Sequence, residues 1–185
     1  MPVIRKDEIK VASADTPLPV TPVDVIITSA EGRVSQKGNA MWAIQAEVVA
    51  PESLEIQDSQ GHSKVIPLAG RRVFGNAMLD PSADWGLPAI LAGLEKAQIP
   101  LSEFGAGDDA IDTDRPEVLI GKSMRMVIKA DPEYATNPAT GQPLTGGDGK
   151  PLILRMSNAP AIGINFFSSV IGPAEESQGT NPGGF

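Results

Sequence analysis

The chain has 185 residues, a net charge of −8 and 41% hydrophobic residues, enough for one sizeable core. It has no cysteine and a single histidine, His62, so disulfides, zinc knuckles, iron–sulfur clusters, thiol nucleophiles and a histidine-pair metal site within one chain are excluded. Aromatic residues make up only 4%, against Gly 19 and Pro 17, which predicts an aliphatic core and many turns. Residues 1–20 read as an extended arm, because Pro17, Pro19 and Pro22 cannot donate to a strand ladder. The first strand is expected over Val23–Ala30 and the second over Ala40–Ala50. In the second, Trp42, Ile44, Ala46 and Val48 share one face, with Gln45 and Glu47 on the other, the period of a half-buried strand. Lys37-Gly38-Asn39 supplies the turn between them.

Pro51 ends the second strand. Leu54–Asp58 and Ser63–Leu68 predict a shorter hairpin around Gln60-Gly61, with His62 as a solvated turn residue. Arg72–Leu79 predicts another strand, in which Gly75 marks a bulge or a close approach. A helix is expected from a cap at Ser82 or Asp84 to Ala97, with Ile90, Leu91, Leu94 and Ala97 as its apolar stripe. Residues 102–117 read as an acidic connection. Val118–Ala130 follows as a strand, with Met124, Met126 and Ile128 on one face and Arg125, Val127 and Lys129 on the other. Residues 135–151 form a long Gly/Pro loop, a kind usually tied to function. Leu152–Met156 returns as a partner strand, Asn165–Ile171 is a short last element, and from Gly172 onward the composition is that of disorder. The fold expected is therefore mainly β: a five-stranded OB-like barrel with one inserted helix over residues 21–171, an N-terminal arm at 1–20, and a flexible acidic tail at 172–185.

Catalytic and metal motifs fail on spacing. Asp108–Asp114 lacks the Asp-x-Asp-x-Asp-Gly-x5-Glu pattern of a calcium loop. Gly105-Ala106-Gly107 and Gly146–Gly149 lack the Gly-Lys-Ser/Thr that completes a phosphate loop. No enzyme, cofactor or metal role is expected. No run of about 18 apolar residues predicts a membrane span. The charged stretch Met1–Glu8 lacks the apolar run of a secretion signal, so a cytoplasmic protein is expected.

One resemblance is carried by Val23–Val49, with Ser35-Gln36-Lys37-Gly38-Asn39-Ala40-Met41 between two strands. It resembles the start of a bacteriophage family of OB-fold single-stranded-DNA-binding proteins. In that family a helix of small and Leu residues, an Ile-Gly-Lys strand and a Tyr-containing loop follow. Here Trp85–Ala97, Ile120-Gly121-Lys122 and Glu133-Tyr134 come in the same order, a likeness spanning residues 18–157. The family often opens its first strand with Gly and an aromatic after Leu-Pro, whereas Leu18-Pro19 is followed here by Val20-Thr21-Pro22-Val23. The resemblance implies a non-catalytic protein that binds single-stranded DNA in phage replication or recombination. Its tail, with Glu175, Glu176 and Phe185, is similar to those with which single-strand binders recruit partner proteins.

A single-strand binder needs cations for phosphates and flat side chains for bases. The candidate phosphate contacts are Arg33, Lys37, Arg71, Arg72, Lys122, Arg125, Lys129 and Arg155, with Arg33 and Lys37 expected on the first hairpin loop. The stacking candidates are Tyr134, Phe74 and Trp42, of which Trp42 falls on the apolar face, Phe74 is ambiguous between core and surface, and Tyr134 stands beside the long loop. Arg125→Glu or Tyr134→Ala is then expected to weaken binding. A homo-oligomer is compatible with this reading. The alternative is a β-rich phage structural or assembly protein, which the acidic charge, the Pro-rich arm and the Gly/Pro loop also suit.

Overall fold

The computed structural model describes residues 18–57, 60–163 and 165–175, and the barrel is built outward from the first hairpin. β1 spans Thr21–Val34 and β2 Ala40–Ala50, antiparallel across the Ser35–Asn39 turn. Gly38 takes a φ of 84°, a left-handed conformation that glycine adopts without steric cost. The side chains of Trp42, Ile44, Ala46 and Val48 are all buried, as the alternation predicts.

β1 is too long to stay straight. Register shifts between Asp24 and Val25, and between Ile27 and Ser29, bend it. The bend lets Thr21–Ile26 pair on their other edge with β6, Ser123–Tyr134. β5 (Arg72–Met78) extends the sheet past β2, and β7 (Ile153–Pro160) meets β5 in parallel at Asn158 and β6 antiparallel. The order β1-β2-β5-β7-β6 returns to β1, closing an OB-like barrel of five strands. Closure leaves few sheet edges exposed. The short hairpin expected after β2 is present as β3 (Ser53–Gln57) and β4 (Ser63–Pro67), outside the barrel sheet. β8 (Val170–Gly172) lies along the first half of β6.

The helix α1, Leu87–Lys96, sits between β5 and β6 and buries Ile90, Gly93 and Leu94. It starts later than the sequence suggests. Asp80 accepts the backbone N–H of Ser82 at 2.8 Å and its hydroxyl at 2.6 Å, which makes a turn of the residues expected to cap the helix. These two bonds hold the Asp80 carboxyl below its ordinary pKa. Trp85 consequently precedes the helix and is exposed. At Gly93 a Cβ would come within 2.6 Å of the Phe167 Cβ, so glycine there lets the helix lie against the turn at Phe166–Ser169.

The connection after the helix differs most from expectation. It contains two short helical turns, Leu101–Phe104 and Pro116–Leu119, which bury Phe104 and Leu119, and the strand expected from Val118 starts only at Ser123. Phe104 stacks on Trp42 with centroids 6.0 Å apart and planes 7° apart. Trp42 Nε1 donates to the Thr113 carbonyl at 2.9 Å, and Arg115 Nη1 donates to the Phe104 carbonyl at 3.1 Å. The segment therefore packs on the core. Met124, Met126 and Ile128 of β6 are fully buried, as their alternation predicts. Leu18, at the end of the expected arm, is buried, as is Ala174 beyond Gly172. Residues 1–17 and 176–185, which hold most of the expected arm and tail, lie outside the described residues.

Candidate nucleic-acid interface

Inward burial of Trp42, Ile44, Val73 and Ala77 turns their neighbours outward. Strand register then aligns those neighbours in three rows across the barrel. Ser29, Gln45 and Phe74 form one, Glu31, Ala43 and Asn76 the next, and Arg33, Met41 and Met78 the third. A groove of about 490 Å³ runs over this face, lined by Ser29, Glu31, Arg33, Gln45, Phe74 and Asn76 among others. Phe74, ambiguous in the sequence, is 51% exposed in it. The face continues into an adjoining hollow of about 210 Å³ lined by Asn76, Lys129, Asp131 and Asn165. Beneath it, Gly75 fulfils the expected close approach: a Cβ there would lie 2.9 Å from both Phe166 and Pro160.

Arg33, Phe74 and Lys129 are thus brought to one side of the barrel. Arg33 lies on β1 rather than in the hairpin loop, because the strand runs on to Val34. Lys37 is in the turn that follows and is exposed. Arg72 stands opposite Glu47 in the β2–β5 register and is exposed. Neither Lys37 nor Arg72 has an ion pair within 4 Å among the described residues.

The other candidates are held elsewhere. Arg71 donates from Nε to the Pro67 carbonyl at 2.7 Å and from Nη1 to Asn158 Oδ1 at 3.2 Å, joining the end of the β3–β4 hairpin to β7. Partial burial lowers its pKa from the ordinary value. Lys122 precedes β6 and pairs with Glu103. Arg125 pairs with Asp24 at 3.4 Å and with Glu175 at 3.0 Å, so the first acid of the expected tail is fastened to the barrel. Tyr134 ends β6, half-exposed and outside the lining of the groove. The Arg155 backbone pairs with Glu133, and Glu176 and Phe185 fall outside the described residues.

The groove is electrically balanced. Arg33 meets Glu31 at 3.1 Å and Lys129 meets Asp131 at 3.8 Å. All four side chains are well exposed, and pairs of this kind contribute only ~0.2–1 kcal/mol, so a phosphate can compete for either cation. Sequence reasoning missed Ser29 and Asn76, and it noted Gln45 only as an outward residue. Period-two counting from Trp42 and Val73 was the signal that places these groups beside Phe74. Among the described residues no three His, Asp or Glu side chains are grouped to hold a metal, and no helix is long and apolar enough to cross a membrane. No protein-family model and no curated protein matches the sequence.

Proposed function

We propose that this is a non-catalytic single-strand nucleic-acid-binding protein whose ligand lies across β1, β2 and β5, in the setting of phage DNA replication or recombination. The observation that carries the reading is Phe74, half-exposed at the centre of a groove on an OB-like barrel, with amides beside it and a cation on either side. Phe74 offers the flat surface on which a base stacks. Gln45 and Asn76 donate and accept at base edges or sugars. Arg33 and Lys129 take phosphates by leaving Glu31 and Asp131, and Lys37 adds a third contact from the turn.

With about three phosphates neutralised on a single strand, log K should fall with log salt at a slope near −2. A base–aromatic stack is worth about 1–3 kcal/mol, so Phe74→Ala should weaken binding roughly 5- to 150-fold. Fluorescence anisotropy with labelled oligo-dT at low salt measures both. Absence of binding at micromolar protein, or an unchanged affinity in Phe74→Ala, would overturn the proposal.

A β-rich structural or assembly role is the second reading. It is favoured by the carboxylates set beside Arg33, Lys122, Arg125 and Lys129, which suit a surface that meets proteins rather than polyanions. Under that reading oligonucleotides leave the protein's mass in light scattering unchanged.

A further inference from the structure

The β1–β2–β5 register opens a slot in the groove. In the row Glu31, Ala43, Asn76, the middle residue carries only a methyl group. Neighbouring strands lie about 4.8 Å apart, so Glu31 and Asn76 stand roughly 10 Å apart across that methyl. Phe74 faces Gln45 in the adjoining row, which makes it the diagonal neighbour of Ala43, about 7–8 Å away. Glu31, Ala43, Gln45, Phe74 and Asn76 all line the groove. A base stacked on Phe74 therefore has room to extend over the Ala43 methyl, with Glu31 on one side and Asn76 on the other.

The polar side chains around the slot are not equivalent. Ser29, Gln45 and Asn76 each donate and accept, so they suit any base by rotation. The Glu31 carboxylate only accepts. Its donor in the free protein is Arg33, at 3.1 Å. A phosphate that draws Arg33 away leaves the carboxylate in the groove without that donor, and a base that brings donors to it is favoured over one that does not.

We infer that the groove prefers guanine and that Glu31 reads it, an inference that rests on the nucleic-acid reading above. Unstacked bases are recognised by stacking on an aromatic ring and by hydrogen bonds to their Watson–Crick edge. On that edge guanine alone among the bases of DNA presents two adjacent donors, N1–H and the N2 amino group. A carboxylate accepts both side by side, and its charge strengthens each bond. Adenine and cytosine set one amino donor beside a ring-nitrogen acceptor. Thymine sets its N3–H between two carbonyl oxygens. Each of these three brings a lone pair against the carboxylate. Stacking on Phe74 tolerates every base, so oligo-dT still binds and guanine binds more tightly.

Fluorescence anisotropy of the full chain compares a short oligo-dT with the same oligomer carrying one central guanine. Bidentate reading of a base discriminates about 5- to 150-fold. The Glu31 side chain is 61% exposed, so the lower end, about fivefold, is expected. Deoxyinosine, which lacks the N2 amino group, should lose most of that preference. Glu31→Gln should bring the two oligomers within about twofold of each other, since the amide cannot accept at both positions. It should also raise affinity for oligo-dT, because Arg33 no longer has a carboxylate to leave. Ala43→Leu fills the slot without changing charge and should likewise remove the preference. Glu117→Gln takes the carboxylate from the Arg115 pair, outside the lining of the groove, and should leave the preference intact. Equal affinity for the two oligomers, a preference for another base, or a guanine preference that survives in Glu31→Gln would overturn the inference while single-strand binding in the groove stands. Failure of every oligomer to bind would overturn both.

Discussion

Replacing Arg125 with alanine is expected to cost about 3 kcal/mol of stability while leaving oligonucleotide affinity within twofold at temperatures where the variant is folded. Asp24 is a charged residue in the barrel wall, 2% exposed, and the β1–β6 register sets it directly opposite Arg125. The guanidinium reaches Asp24 Oδ1, so its removal leaves a carboxylate in the wall without its cation. Breaking such a pair from one side is costly, because the desolvation of the remaining charge is no longer offset. Removing both charges is far milder. Asp24→Val with Arg125→Leu should therefore recover most of the loss. Glu175→Gln should change stability by less than about 0.5 kcal/mol, since that carboxylate is exposed. Urea unfolding of the three variants measures the stabilities, and oligo-dT anisotropy measures the affinity of Arg125→Ala. An Arg125→Ala cost below about 0.5 kcal/mol would show that Asp24 is solvated in solution.

Trp42→Ala should cost about 3–5 kcal/mol, the largest effect of any single change proposed for this chain. The indole is fully buried, stacked on Phe104, and bonded to the Thr113 carbonyl. Its truncation opens a cavity and also unpins the connection that packs against it. Trp42→Phe retains most of the ring but strands the carbonyl, at about 1–2 kcal/mol. Limited proteolysis gives an independent readout. Cleavage between Gly105 and Arg115 should accelerate in Trp42→Ala well before global unfolding. If the two variants were equally stable, the cavity would be unimportant and the Thr113 bond, lost in both, would carry whatever cost they share.

What was legible in the sequence was local. Alternation placed Trp42, Ile44, Ala46 and Val48 inward, and Met124, Met126 and Ile128 likewise, because neighbouring side chains on a strand must point to opposite faces. The helix was legible in its stripe but not in its start, since Asp80 competes for the Ser82 donors from outside the expected cap. The segment around Phe104 was not legible. Its acids and glycines dominate the composition, whereas its position depends on a tryptophan more than sixty residues earlier in the chain.

The candidate site divides in the same way. Glu31–Arg33 and Lys129–Asp131 are spaced two apart on single strands, so their pairing could have been read from the period of a strand. Asp24–Arg125 and Glu103–Lys122 join distant parts of the chain and exist only once the barrel closes. Phe74 was ambiguous because its exposure depends on which face of β5 meets the core, and Gly75 and Ala77 give the alternation little contrast.

The central claim is that a single strand lies across the outer faces of β1, β2 and β5. Amide chemical-shift mapping of the full chain during titration with oligo-dT tests it most directly. The account predicts perturbations centred on Ser29–Arg33, Ala43–Gln45 and Phe74–Asn76 and extending to Lys129, with little change at Arg125 or Lys122. Shifts that avoid those strands, or no shifts at saturating oligonucleotide, would contradict it.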